Sequence, residues 1–382
     1  MSFNHQNEWN VKTRPINMAE GEICEFFKPL FMLFNLIGIN VSPVRARCRN
    51  FLGCVFQIIR CLYFFSFVVV NVVHDSILIT LVFEDKWCKI VSSHALIQVL
   101  GTAQALMLYR KRLVIRKIVM HLSNTLKPIK PIVGVTEKKT ACNYILAAML
   151  TVFAVEVTIC TMYARQDVLS LRNNRLPSEY IFYIDVNSTT AEFIAYYSAF
   201  CRQMNFIWME TFLVYYCAIC WVLRSTFLKF KSILKQRYSY SEYLHIHNCL
   251  TKAVLVVDDA YSSQICICYS LQLITMFLQM FLMKQVSQDG IEYYYMFSGW
   301  ISLTFVTTII FASSVAEAAG EVKESIQYMN FGEPFDRWGQ FYFKVSLADV
   351  QLTIWKTISI RRLTILSALG AFFTYTVIIV SL

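Results

Sequence analysis

The sequence predicts an all-α membrane protein with seven transmembrane helices, a cytoplasmic N-terminus and an extracellular C-terminus. Of its 382 residues, 57% are hydrophobic and 16% are charged, whereas soluble domains average about 45–50% and about 25%. A core of this size cannot bury so much apolar surface, so lipid must solvate part of it. The chain has only 11 glycines and 7 prolines, which leaves few turns and favours long helices. The composition therefore excludes an ordinary soluble enzyme.

Seven apolar stretches are long enough to cross a bilayer, which takes about 20 residues in a helix. They cover residues 51–83, 87–108, 141–163, 193–223, 261–283, 293–316 and 363–382. All seven prolines lie outside these stretches, as expected because proline disrupts helix interiors. Residues 1–50 form a cytoplasmic segment. Within it, the apolar stretch 26–39 is too short to span and predicts an interfacial or packed helix.

The distribution of lysine and arginine gives the predicted orientation, because cytoplasmic connections carry an excess of these residues. From the N-terminal segment to the sixth connection, their numbers are 6, 2, 9, 3, 6, 1 and 6. This alternation places the N-terminus inside and the C-terminus outside. G-protein-coupled receptors also have seven spans but the opposite orientation, so the pattern argues against that class. The net charge of +10 then reflects cytoplasmic basic residues beside anionic lipid, rather than a nucleic-acid partner.

The longest cytoplasmic connections read as helical continuations of the spans. One covers about residues 224–262, between the fourth and fifth spans, and the other covers residues 317–362, before the last span. Helices that project beyond the bilayer can pack together. We therefore expect a cytoplasmic anchor subdomain built from these two connections.

The third connection carries a glycosylation sequon, Asn187-Ser188-Thr189. The predicted topology places Asn187 outside the cell, where a sequon can be used. A second sequon, at Asn40, lies on the predicted cytoplasmic side and should not be modified.

The sequence carries no signature of catalysis, of a cofactor or of a metal site. Cys217 and Cys220 have the C-x-x-C spacing of redox and metal motifs, but they lie in an apolar helix without a second pair, which favours packing. The cluster of His245, His247 and Cys249 has metal-binding side chains, yet a solvated or packed cluster is the more common arrangement. We therefore expect a protein that is not an enzyme and that holds no cofactor or metal.

Ionisable residues are costly inside a membrane and are by default candidates for function. The predicted spans contain Arg60, His74, Asp75, His94, Glu156, Arg202 and Glu210. Glu156 and Arg202 lie at similar depths, about 10 Å from the outer ends of their spans at 1.5 Å per residue. They predict an ion pair, which is either purely structural or the polar anchor of a ligand cavity.

Other polar and aromatic residues of the spans predict the walls of that cavity. An outward-opening pocket with aromatic walls and a few polar groups is typical of small-molecule sites. Gln272 and Gln279 are one heptad apart and therefore share one helix face. The predicted ligand-binding residues are His94, Gln98, Glu156, Tyr197, Arg202, Gln272, Gln279 and Trp300.

Small and polar residues recur along the last predicted span at alternating steps of three and four, so they lie on one helix face. They are Thr364, Ser367, Ala371, Thr374, Ile378 and Ser381. Such a stripe allows close helix packing, or it lines a pore built from one helix per subunit. The stripe alone does not decide between these two interpretations.

The C-terminal residues resemble the signature of insect gustatory receptors, which is Thr-Tyr, five hydrophobic residues and then Gln-Phe. Thr374-Tyr375 and most of the following hydrophobic block match it, with Thr376 as a polar exception. Ser381-Leu382 stands where the family has Gln-Phe. Residues 363–373 also resemble the family's last helix, and the seven spans, orientation and length extend the resemblance over the whole chain.

The resemblance implies a subunit of a homotetrameric or heterotetrameric ligand-gated cation channel that detects a small-molecule tastant. Residues 51–316 would form the ligand-binding bundle, residues 317–362 the anchor and residues 363–382 the pore-lining helix. The implied pore residues are Ser367, Thr374, Ile378, Ser381 and Leu382. The family also implies a multi-pass protein of the plasma membrane, in the dendrite of a sensory neuron.

Bitter compounds are favoured as ligands, because large hydrophobic pockets suit them and the chain shows no sugar-receptor pattern. One alternative is a subunit that signals through a metabotropic partner or acts only as a co-receptor. A secondary transporter is a third class, but transporters usually show internal repeats and Gly/Pro-broken helices, and neither is evident in this sequence.

Overall fold

The computed structural model is a bundle of long helices. It describes residues 22–41, 51–83, 88–126, 135–172, 188–234, 240–285, 291–327, 345, 350–364, 367–368, 370–371 and 374. Eight helices lie within these ranges: α1 (Glu22–Phe26), α2 (Lys28–Leu36), α3 (Phe51–Phe83), α4 (Cys88–Thr125), α5 (Val135–Arg172), α6 (Ser188–Ile233), α7 (Tyr240–Gln285) and α8 (Ile291–Gln327). Helices α3 to α8 contain the first six predicted spans in order.

Five of these helices are long and apolar enough to cross a membrane: α3, α5, α6, α7 and α8. Helix α4, which contains the second predicted span, is not among them, and most of the seventh predicted span lies outside the described residues. The structure thus supports a multi-pass membrane protein. The count of seven spans and the orientation stay predictions.

Helix α6 is the centre of the bundle. Of its most apolar part, 83% is buried within the protein, against 22% for α3 and 28% for α5. The outer helices instead expose large apolar side chains, such as Leu62 on α3 and Leu150 on α5. Water would not solvate such a surface favourably, so these outward faces fit a lipid environment.

The N-terminal helices α1 and α2 pack into the bundle. Phe27 and Phe34 are fully buried and contact the ring of Tyr215 edge-on. The Tyr215 hydroxyl donates to the backbone oxygen of Ile115 at 3.0 Å and lies 2.9 Å from the hydroxyl of Tyr261. These contacts join α2, α4, α6 and α7.

Residues 350–364 differ from the helical anchor that the sequence predicts for residues 317–362. Helix α8 ends at Gln327, and an antiparallel hairpin of β1 (Thr353–Ile354) and β2 (Ile358–Ser359) precedes the last helix. Trp355 and Lys356 form the turn with φ of 53° and 58°, in the left-handed region that side chains other than glycine rarely adopt.

Helix α7 supplies the partners that hold this turn. Asp258 accepts hydrogen bonds from the backbone nitrogen of Thr353 at 2.6 Å and from its hydroxyl at 2.8 and 2.9 Å. Lys356 Nζ lies 2.5 Å from Asp259 Oδ1. The hairpin therefore ties the start of the seventh predicted span to α7.

The described residues between 362 and 374 are helical. Ser367, Ala371 and Thr374 of the predicted small and polar stripe are exposed in the single chain, which leaves this face available to another helix or to a pore. Arg362 makes a two-point ion pair with Glu317 of α8, at 2.5 and 2.6 Å. Tyr375, Ile378, Ser381 and Leu382 lie outside the described residues, and so does Asn187.

Candidate functional site

A cavity of about 1240 Å³ lies between α5, α6 and α8. Each of the three helices lines it with one face, and α1 contributes Phe26. On α6 the lining residues recur at steps of three, four and seven, as one helix face does. Large apolar and aromatic residues form most of the wall, including Tyr144, Ile145, Val152, Leu213, Val214, Trp221, Leu228, Leu303 and Phe311.

The cavity opens to the outside of the bundle between α5 and α8. Tyr144 and Leu303 both line it, yet they are 72% and 57% exposed. Both residues lie in segments apolar enough to be inside a bilayer. A lipophilic molecule dissolved in the membrane can therefore reach the cavity from the side.

The polar groups of the cavity are unevenly placed along α6. Glu210 and Lys229 both line the wall, and the 19 residue steps that separate them correspond to about 28 Å at 1.5 Å per step. Hydroxyl groups of Thr151, Thr304 and Thr308 lie along the wall between the apolar side chains. The site can thus hold an elongated apolar molecule, with a charged side chain of α6 toward each end.

Two carboxyl groups are buried together at the Glu210 end. Glu156 on α5 is 0% exposed and Glu210 on α6 is 1% exposed, and the two groups interact. Glu156 Oε2 accepts a hydrogen bond from Gln203 Nε2. Glu156 Oε1, both oxygens of Glu210 and Trp300 Nε1 make no hydrogen bond of good geometry among the described residues, although the two carboxyl groups and the indole lie close to one another.

The structure brings together part of the predicted site. Trp300 lines the cavity, and Glu156 contacts its lining residue Glu210. The partner seen for Glu156 is Gln203, whereas the side chain of the predicted partner Arg202 lies outside the part that the structure describes, as does that of His94.

The other predicted residues lie away from the cavity wall. Gln98 accepts a hydrogen bond from Asn205 Nδ2 at 3.1 Å, which joins α4 to α6. Gln272 donates to the Thr304 hydroxyl at 3.0 Å, which joins α7 to α8. Gln279 is buried and Tyr197 is 41% exposed. The two hydrogen-bonded glutamines therefore hold neighbouring helices together.

The α6 wall of the cavity was not predicted from the sequence. Glu210 was predicted as an ionisable residue within a span, but not as a residue of the site. Val214, Cys217 and Trp221 follow Glu210 at steps of four, three and four, so their shared face was readable from the sequence. That this face borders an empty space depends on how α5 and α8 pack, which helical periodicity does not give.

The structure describes the surroundings of the cysteine and histidine motifs. Cys217 lines the cavity with its sulfur 4.0 Å from the Thr308 hydroxyl, while Cys220 is buried. His245 Nε2 lies 3.8 Å from Cys249 Sγ. Among the described residues, no three His, Cys, Asp or Glu side chains come close enough to hold a metal ion.

Two solved structures have the same fold over nearly the whole chain. The insect olfactory receptor OR5 from Machilis hrabei superimposes with a TM-score of 0.68 at 13% identity, covering 93% of this chain and 97% of that chain. The same receptor in complex with eugenol gives 0.64 at 12% identity, with 94% and 98% covered. No protein-family model and no curated protein matches the sequence. The chain thus has the fold of an insect olfactory receptor.

Proposed function

We propose that the chain is a subunit of a ligand-gated cation channel that detects a small molecule at the cavity between α5, α6 and α8. The observation that carries this proposal is the fold, which follows an insect olfactory receptor over 93% of the chain. That receptor has been solved with eugenol bound. A lipid-accessible apolar cavity in the present chain is consistent with a ligand of similar character.

The chain is a gustatory receptor in this proposal, because its last residues resemble the Thr-Tyr signature of that family. It spans the plasma membrane seven times with its N-terminus inside, and four subunits, identical or mixed, surround one pore. The last helix lines the pore, and the exposed Ser367, Ala371 and Thr374 support this assignment. Bitter compounds remain the favoured tastants, because the cavity wall is largely apolar.

The test is calcium imaging of cells that express the chain alone, with panels of bitter compounds and sugars. Val214→Trp places a large ring in the cavity, while Leu62→Trp places the same ring on the lipid-facing side of α3, where Leu62 is 65% exposed. We expect Val214→Trp to raise the half-maximal concentration at least about tenfold, equivalent to about 1.4 kcal/mol of binding free energy. Leu62→Trp should respond like the wild type.

Equal responses from both variants, at equal surface expression, would move the ligand site elsewhere. A response that requires cytosolic factors and is lost in excised patches would instead favour the metabotropic alternative.

A further inference from the structure

The buried carboxyl pair of Glu156 and Glu210 has no counter-charge among the described residues. Burying an ionised carboxylate is costly unless a cation or several hydrogen bonds offset the lost hydration. Here the one hydrogen bond seen comes from the neutral amide of Gln203. Among the described residues, three of the four carboxyl oxygens make no hydrogen bond of good geometry. A cationic group bound beside the pair would supply a counter-charge inside the apolar bundle.

The carboxyl pair borders the cavity through Glu210. Glu210 is a lining residue, and its carboxyl interacts with Glu156 and lies near the indole of Trp300, which also lines the cavity. An aromatic face attracts a cation at close range, with tryptophan the most favourable of the side chains. A cationic group that reaches this end would meet two carboxyl groups and an indole together.

A metal ion fits this position poorly. Calcium and magnesium take six or more oxygen ligands, whereas the described residues contain no group of three His, Cys, Asp or Glu side chains that could hold a metal. The adjoining wall is made mainly of aliphatic and aromatic side chains. An organic cation can place its charge at the carboxyl groups and its apolar body along that wall.

We propose that the cavity binds lipophilic protonated amines, with the ammonium group held by Glu210 and Glu156 against Trp300. This inference rests on the proposed function and specifies its ligand class. An ammonium N–H donates to one of the carboxyl oxygens that make no hydrogen bond of good geometry among the described residues, and the positive charge stabilises the ionised form of the carboxyl groups. The hydrocarbon part of the ligand lies toward Val214 and Trp221, and its entry is lateral, between α5 and α8.

The experiment compares a protonated amine with its uncharged carbon isostere. A suitable pair is N,N-dimethyl-3-phenylpropylamine and (4-methylpentyl)benzene, and a set of larger tertiary amines with matched isosteres covers the cavity volume. In the wild type, binding is measured as the rise in thermal stability of the purified receptor, and gating is measured as current. We expect at least one amine to bind at least about tenfold more tightly than its isostere, as charge-assisted hydrogen bonds allow.

The variant Glu210→Gln keeps the shape of the side chain but removes its charge. We expect it to lose at least about tenfold in affinity for the amine while binding of the isostere changes little. Glu292→Gln removes the same charge from an exposed position on α8 and should leave amine affinity unchanged. Should Glu210→Gln fail to fold, the comparison of amine and isostere in the wild type still tests the proposal.

Two results would overturn the inference. One is a set of amines that bind no better than their isosteres, and the other is a Glu210→Gln variant that loses affinity equally for charged and neutral ligands. If neutral compounds then still gate the channel and Val214→Trp abolishes that response, the proposed function stands without the amine preference. If no compound of either kind gates the channel, the proposed function itself fails.

Discussion

Gly101 on α4 packs against Asn205 on α6, and replacing it with alanine gives a sharp test of this packing. A Cβ atom at this position would lie 3.0 Å from Cβ and 3.1 Å from Nδ2 of Asn205, closer than ordinary van der Waals contact. Asn205 Nδ2 donates to Gln98 Oε1 at 3.1 Å, and both side chains are buried. Gly101→Ala must therefore separate the helices or turn Asn205 away from Gln98.

The expected cost follows from these contacts. Overpacking costs about 1–3 kcal/mol, and leaving a buried amide without its partner costs about 1–3 kcal/mol. The higher helix propensity of alanine returns about 1 kcal/mol. The net destabilisation is therefore about 0–2 kcal/mol if only one of these responses occurs and about 1–5 kcal/mol if both occur. Gly299→Ala is the matched control, because it lies in α8 and its added Cβ would meet nothing within 4 Å.

The assay is the apparent melting temperature of each purified variant, measured as the monodisperse fraction that survives heating. We expect Gly101→Ala to melt below the wild type and Gly299→Ala to melt at or above it. A double variant with Asn205→Ala should recover part of the loss, because alanine lacks the atoms at 3.1 and 3.2 Å. A Gly101→Ala protein as stable as Gly299→Ala would refute this account of the contact between α4 and α6.

Three further predictions concern side chains of α4, α6 and α7. Tyr215→Phe removes a buried hydroxyl with two hydrogen-bond partners and should lower the stability by about 1–3 kcal/mol. The measurement is the melting temperature. An unchanged value would contradict the hydrogen bonds of this hydroxyl with Ile115 and Tyr261. Asp258→Ala should release the hairpin from α7 and make it more accessible to limited proteolysis. Asp259→Ala, which removes only an exposed ion pair, should increase cleavage much less. Equal cleavage of the two variants would contradict the role of Asp258 in holding the hairpin. His121 lies beyond the predicted second span, and burial, then the nearby Lys252, lowers its pKa below 6.5. The unfolded chain therefore takes up a proton first, so stability present above about pH 6.5 is lost as the pH falls toward the lower folded pKa. His121→Gln should reduce the loss of melting temperature between pH 7 and pH 5, and an identical loss in the variant would contradict this.

The sequence was sufficient to predict the long helices but not all of their ends. Residues 51–83 were read as one apolar stretch, and α3 covers the same residues. The second predicted span ends at residue 108, whereas α4 continues to Thr125. The basic residues after position 108 lower the mean hydropathy, so the apolar stretch ends there. Buried residues nevertheless continue at steps of four and three, as on one face of a helix: Ile115, Val119 and Leu122.

The hairpin was outside the reach of sequence reasoning. Its turn residues, Trp355 and Lys356, take left-handed conformations that usually indicate glycine or asparagine. The contacts that hold the turn come from Asp258 and Asp259, about a hundred residues earlier in the chain. Local sequence preferences do not report such distant partners.

The candidate site was partly predictable for the same physical reason. The cost of charge in a membrane identified Glu156 and Glu210 as unusual, and the structure shows both buried. Pairing Glu156 with Arg202 depended on estimated depth alone. Depth does not give the rotation of each helix about its axis. The structure shows Gln203 and Glu210 beside Glu156, and the pair with Arg202, whose side chain lies outside the described part, stays a prediction.

The central claim is that this chain forms a channel opened by a small molecule in the cavity between α5, α6 and α8. Its most direct test is single-channel recording from the purified chain in a planar bilayer, with no other protein present. The account predicts cation-selective unitary currents that appear with ligand, persist in Leu62→Trp and require at least about tenfold more ligand in Val214→Trp. A folded, bilayer-inserted protein that shows no ligand-dependent current, or equal currents in the two variants, would contradict it.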